Sequence, residues 1–260
     1  MVTIHDFATW KSEGRRFPML TAYDFPTARI LDEAGIPVIL VGDSVGNNVL
    51  GYRNTLPVTM EEMLHHTRAV VRGAKDALIV GDMPFLSYQP STEEGIRNAG
   101  LFIKTGAHAV KVEGAQTELT ARLTELGIPV MGHVGLTPQF IHALGGYRVQ
   151  GRTEEAALRL RQQAEALEKA GIFSLVLEGV PSEVGRSITE AVSVPTIGIG
   201  AGPHCDGQVL VVNDLLGLNE WVPKFVKKYA NLHDEIDRAV RAFAADVEAG
   251  TFPDAQHSYD

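Results

Sequence analysis

Ala109-Val110-Lys111-Val112-Glu113-Gly114 is an apolar run carrying two charges of opposite sign and closing on glycine. Side chains alternate along a strand, so Lys111 and Glu113 share one face and Val110 and Val112 the other. Similar apolar runs recur along the chain. Leu78-Ile79-Val80-Gly81 leads into Asp82, Ser174-Leu175-Val176-Leu177 into Glu178, and residues 38–42 into Asp43. The full set of strand candidates is 19–23, 38–42, 78–81, 109–113, 130–134, 174–178, 196–200 and 209–212, with helical patterns between them at 26–34, 60–73, 92–104, 118–126, 154–170 and 183–192. Apolar strands alternating with amphipathic helices imply a parallel sheet covered on both faces. About eight such cycles fill one (β/α)8 TIM barrel, a single domain over residues 1–260, with an extra N-terminal helix in the first dozen residues and C-terminal helices over 224–250. A doubly wound open sheet is the competing arrangement of the same units.

The chain has 260 residues, 45% of them hydrophobic, enough to bury a sizeable core, and its 26 glycines and 13 prolines are dispersed as in an ordered globular protein. A formal net charge of -9 without a stripe of Lys and Arg argues against a nucleic-acid partner. The single cysteine, Cys205, allows no intramolecular disulfide, which points to a reducing, cytoplasmic setting. The N-terminus lacks the pattern of a signal peptide, and no apolar stretch approaches the roughly 20 residues needed to cross a bilayer.

Acids terminate the strands. Asp24, Asp43, Asp82, Glu113 and Glu178 all fall at C-terminal strand ends, which in a barrel converge on one mouth. Like charges so gathered call for a cation. With no cysteine group or paired-histidine spacing, hard carboxylate oxygens favour magnesium over zinc. Asp24, before Phe25-Pro26, reads instead as a helix cap. Lys111 on the lumen face would neutralise part of the cluster and bind an anionic substrate; a buried Lys111–Glu113 pair without a ligand is the structural alternative. His133 shares the inward face with Met131, and Glu178 shares it with Val176. A lone histidine is more often a satisfied core residue than a catalyst, and Glu178 divides evenly between a helix cap and a general base whose apolar flank raises its pKa. The turn from Gly198 to Gly202 is a weak phosphate-loop pattern, and Cys205 has no partner set of a nucleophile.

These residues sit in blocks that resemble the ketopantoate hydroxymethyltransferase family over nearly the whole chain. The blocks include residues 19–24 and 41–44, Gly81-Asp82-Met83-Pro84-Phe85, Val110-Lys111-Val112-Glu113-Gly114, and Gly132-His133-Val134-Gly135-Leu136-Thr137-Pro138-Gln139. Residues 55–59, 145–151, 198–202 and 205–208 complete the set. The resemblance implies a (β/α)8 barrel that uses Mg2+ and 5,10-methylenetetrahydrofolate to hydroxymethylate 3-methyl-2-oxobutanoate, giving 2-dehydropantoate on the route to pantothenate and coenzyme A, in a cytoplasmic homodecamer. Carried over by motif, Asp43 and Asp82 are the metal-binding acids, with Glu113 an outer or direct third contact. Asp43, Ser44, Asp82 and Lys111 bind substrate, His133 lines the site, and Glu178 is the proton acceptor. Gly46-Asn47-Asn48-Val49 departs from the methionine-bearing stretch expected of the family. The runner-up is a magnesium-dependent 2-oxo acid lyase or mutase of the isocitrate lyase–phosphoenolpyruvate mutase type, and a phosphate-binding barrel without enolate chemistry is a third reading.

Overall fold

A computed structural model describes residues 1–259. The chain divides into two compact units, Met1–Val211 and Val212–Asp260. In the first, eight parallel strands close into a barrel in chain order: β1 Phe17–Thr21, β2 Val38–Val41, β3 Leu78–Asp82, β4 Ala109–Glu113, β5 Val130–Gly135, β6 Ser174–Glu178, β7 Thr196–Ile199 and β8 Gly207–Leu210. The helices of this unit are α1 Ile4–Ser12, α2 Phe25–Glu33, α3 Val45–Asn48, α4 Met60–Gly73, α5 Thr92–Thr105, α6 Thr117–Glu125, α7 Ile141–Leu144, α8 Glu154–Lys169 and α9 Ser182–Ala191. Closure in a ring excludes the open doubly wound sheet.

Two strand starts differ from the sequence pattern, for one reason. β1 begins at Phe17 and β8 at Gly207 because those residues are register partners, and the pairing that shuts the barrel recruits Phe17 and Pro18 as strand. Local signals serve elsewhere. Thr59 caps α4, its Oγ1 accepting from the Glu62 N–H at 3.2 Å while Glu62 Oε2 accepts from the Thr59 N–H at 2.8 Å.

The lumen is packed in the parity read from the sequence. Met19, Val38, Leu40, Leu78, Val80, Ala109, Met131, Val176, Ile197 and Val209 form one buried cluster with Phe7 and Trp10 of α1. The ring of Phe7 lies 5.1 Å from Trp10, 5.2 Å from Phe17 and 5.0 Å from Phe173. α1 therefore plugs the N-terminal end of the barrel, and Lys11 fastens it by donating to Thr189 O, Val194 O and Asp206 Oδ2.

The second unit holds α10 Val212–Leu215 and α11 Leu232–Ala249. Residues 224–231, expected to be helical, precede α11 rather than belong to it. Ile236, Val240, Phe243 and Val247 recur at helical spacing on α11, and all are exposed. Among the described residues no helix is long and apolar enough to cross a membrane.

Candidate active site

The C-terminal strand ends bring the predicted residues together. β3 pairs with β4 so that Asp82 and Lys111 are register partners, β4 with β5 so that Glu113 faces His133, and β5 with β6 so that Gly135 faces Glu178. Asp43, Asp82, Lys111, Glu113 and His133 are all buried, while Glu178 retains partial exposure at the rim.

Lys111 Nζ donates to Asp82 Oδ1 at 2.6 Å and to Glu113 Oε1 at 3.4 Å. The other oxygen of Asp82 accepts from the Asp43 N–H at 3.2 Å, and Asp43 Oδ2 accepts from Gln139 Nε2 at 3.0 Å. His133 stands between two acids, Nδ1 3.5 Å from Glu113 Oε1 and Nε2 3.3 Å from Glu178 Oε2. These are ion-pair separations rather than aligned hydrogen bonds.

Electrostatics divides the acids into two kinds. Burial alone would raise Glu113, but Lys111, His133 and the Gln139 N–H outweigh it and hold the carboxyl at about 2. Burial, with the charges of Asp82 and Glu113, pushes Asp43 well above the usual carboxylate range. Asp82 is also raised by burial, partly offset by Lys111. Lys111 itself is raised, because the three surrounding acids outweigh its desolvation. For His133, burial and the Lys111 charge favour the neutral ring, yet Glu113 and Glu178 prevail and carry it to about 9.

The two acids raised despite Lys111 are thus Asp43, which among the described residues has no ion pair of its own, and Asp82, which has Lys111 alone. Among the described residues no three Asp, Glu, His or Cys side chains form a ready-made cage. Two hard carboxylates that share one lysine between them nevertheless fit magnesium, which takes few protein ligands and accepts water and substrate oxygens. Glu113, whose oxygens are taken up by Lys111, His133 and Gln139, fits the outer role better than the direct one.

Ser44 follows Asp43 in a tight turn, and its Oγ lies 2.8 Å from the hydroxyl of Tyr23 at the end of β1. Gly42 permits this, since a Cβ there would stand 2.7 Å from Ser44 Oγ. Where the sequence departs from the family pattern, Gly46 admits the Val58 side chain, which would lie 2.6 Å from an added Cβ, and Asn48 Nδ2 ties back to Ser44 O at 2.9 Å.

Other candidates go elsewhere. Asp24 caps α2, Oδ1 accepting from the Thr27 N–H at 2.8 Å. The Gly198–Gly202 turn is packed by α9: an added Cβ at Gly202 would meet Ser182 Oγ at 2.3 Å, and one at Gly185 would meet Ala201 O at 2.4 Å. Cys205 is buried just before β8, at the end of the barrel away from the acids.

Tyr88 and Gln139 are functional-site neighbours that pattern reading misses. Both are buried, and the Tyr88 hydroxyl bonds Gln139 Oε1 at 2.7 Å. Gln139 lies inside a quoted block, but a single amide in a loop has no periodicity to mark it, and Tyr88 lies in the loop after β3, outside every block.

The description "Ketopantoate hydroxymethyltransferase" matches residues 1–255 as a family. The chain belongs to the ketopantoate hydroxymethyltransferase family. A 3-methyl-2-oxobutanoate hydroxymethyltransferase from Thermotoga sp. (strain RQ2) is 60% identical over 253 residues, covering 96% of this chain and 94% of that protein. One from Syntrophus aciditrophicus (strain SB) is 56% identical, with 96% and 93% covered. Among solved structures, phosphonopyruvate hydrolase in complex with oxalate and Mg++ superposes with a TM-score of 0.64 at 13% identity, covering 99% of this chain and 93% of that one. A 2,3-dimethylmalate lyase of the PEP mutase/isocitrate lyase superfamily gives 0.61 at 17%, covering 99% and 92%. This ketopantoate hydroxymethyltransferase family member therefore shares its barrel with those enzymes, and its sequence with the hydroxymethyltransferases.

Proposed function

We propose that the chain transfers a hydroxymethyl group from 5,10-methylenetetrahydrofolate to 3-methyl-2-oxobutanoate, giving 2-dehydropantoate for pantothenate and coenzyme A synthesis. The observation that carries it is the single rim at which Asp43, Asp82, Lys111 and Glu178 meet, in a chain about 60% identical to proteins of that name.

The substrate carboxylate is anionic, and Lys111 with Ser44 supplies a charge and a hydroxyl to hold it. Asp43 and Asp82 would hold magnesium, which when bound supplies Lewis-acid stabilisation of an enolised 2-oxo acid. Glu178 accepts the proton from the carbon beside the keto group. His133, positive between Glu113 and Glu178, orients that carboxylate. The enolate carbon then bonds to the donated carbon as both bonds from that carbon to the folate nitrogens break; one water supplies the hydroxyl oxygen and its two protons go to the folate nitrogens, while the proton held by Glu178 returns to the new alkoxide.

The superfamily likeness of the barrel favours one alternative, cleavage or rearrangement of a 2-oxo acid. Its members commonly carry a cysteine on a gating loop, whereas Cys205 is buried before β8. Proton exchange beside the keto group of 3-methyl-2-oxobutanoate in deuterated water separates the readings. Metal-dependent washout without folate, followed by hydroxymethyl product when the donor is added, is expected. Glu178→Gln should bind the oxo acid without exchanging its proton, and full exchange in that variant removes Glu178 from the base role.

A homo-oligomer, a homodecamer by family likeness, belongs to the same proposal, supported by the exposed apolar residues of α11. So does a cytoplasmic location, in keeping with a lone buried thiol.

A further inference from the structure

Gln139 is one residue with five polar contacts that reach three parts of the barrel rim, those at or after the ends of β2, β3 and β4. Its Nε2 donates to Asp43 Oδ2 at 3.0 Å and to Met83 O at 2.9 Å. Its Oε1 accepts from Tyr88 Oη at 2.7 Å and Gln89 Nε2 at 3.1 Å, and its backbone N–H donates to Glu113 Oε2 at 3.0 Å. Both protons of the amide and its oxygen are used, which is full satisfaction for a buried carboxamide.

The orientation of the amide is determined. An amide oxygen only accepts, so the Tyr88 hydroxyl must donate to it, and that hydroxyl in turn accepts from the Glu113 N–H at 3.2 Å. One relay runs from Glu113 N–H through Tyr88 Oη–H and the Gln139 amide to Asp43. Reversing the amide would set Oε1 against both the Asp43 carboxylate and the Met83 carbonyl, two acceptors.

We propose that Gln139, aligned by Tyr88, is a positioning residue that holds the Asp43 carboxylate correctly turned for a divalent cation. The chemistry of the amide explains the choice. A lysine or arginine here would cancel the charge that attracts the cation, and an apolar side chain would leave the carboxylate without the donor that fixes its orientation. A neutral donor fixes the carboxylate without adding charge. This assignment rests on the metal-assisted reading above.

The test is Mn2+ binding, followed by the loss of its free-ion electron paramagnetic resonance signal, with and without 3-methyl-2-oxobutanoate. Gln139→Leu is expected to weaken Mn2+ binding roughly 10–100-fold, the usual effect of removing a partner behind a metal ligand. Tyr88→Phe, which frees the amide but keeps the packing, should weaken it in the same direction by less. Thermal melts establish that each variant is folded, and if Gln139→Leu does not fold, Tyr88→Phe is read alone. Wild-type affinity in a folded variant, whatever its melting temperature, overturns this assignment while leaving the metal site standing. Failure of the natural chain to bind Mn2+ overturns the metal reading and this assignment together.

Discussion

Lys111 Nζ stands 2.6 Å from Asp82 Oδ1, and the two residues are register partners on adjacent strands at the centre of the acidic rim. The lysine is the only cation that reaches both Asp82 and Glu113 by hydrogen bonds among the described residues.

Removing it exposes the cost of the cluster. Lys111→Met should destabilise the barrel by about 3–5 kcal/mol at pH 8, because breaking a buried pair leaves its acids uncompensated. The loss should shrink at pH 5, where Asp82 can take a proton. Denaturant titrations at the two pH values measure both effects, and equal losses would contradict the pairing.

His133 makes the fold pH-sensitive on the alkaline side. Burial and Lys111 oppose its protonation, but Glu113 and Glu178 hold its pKa at about 9 against an ordinary 6.5. A raised pKa stabilises through the protonated form, so this contribution is whole below about 6.5 and is lost as pH rises through about 9. The melting temperature should decline across that interval, and His133→Gln should remove this part of the slope.

Gly135 is where backbone geometry sets the position of Glu178, the proposed base. Its φ is 101°, and an added Cβ would lie 2.2 Å from Glu178 O. Gly135→Ala should cost about 1–3 kcal/mol in strain and shift Glu178, lowering kcat more than it raises KM. Steady-state kinetics on the folded variant decides; an unchanged kcat would mean that Glu178 tolerates the shift.

The opposite end of the barrel separates stability from chemistry. Trp10→Ala removes a buried ring 4.8 Å from Phe17 and should cost about 3–5 kcal/mol. Assayed well below its melting point, that variant should keep the natural kcat.

Much of the rim is readable in the sequence because a strand's two-residue period needs no tertiary information: once residues 109–113 are a strand, Lys111 and Glu113 must share a face. The ends of β1 and β8 were not readable, since only their mutual pairing makes Phe17–Pro18 and Gly207–Gln208 extended. Gln139 escaped for the same physical reason: it touches Asp43, 96 positions away, from a loop whose shape follows from the barrel around it. Asp24 shows the reverse, a cap fully determined by its next three neighbours.

With Phe7 and Trp10 seated in the N-terminal end, the barrel has no back door. A ligand that reaches Asp43, Asp82 and Lys111 therefore enters over the rim where the strands end. A helix nine residues long, at the opposite end of the barrel from the acid cluster, thereby leaves that cluster a single approach.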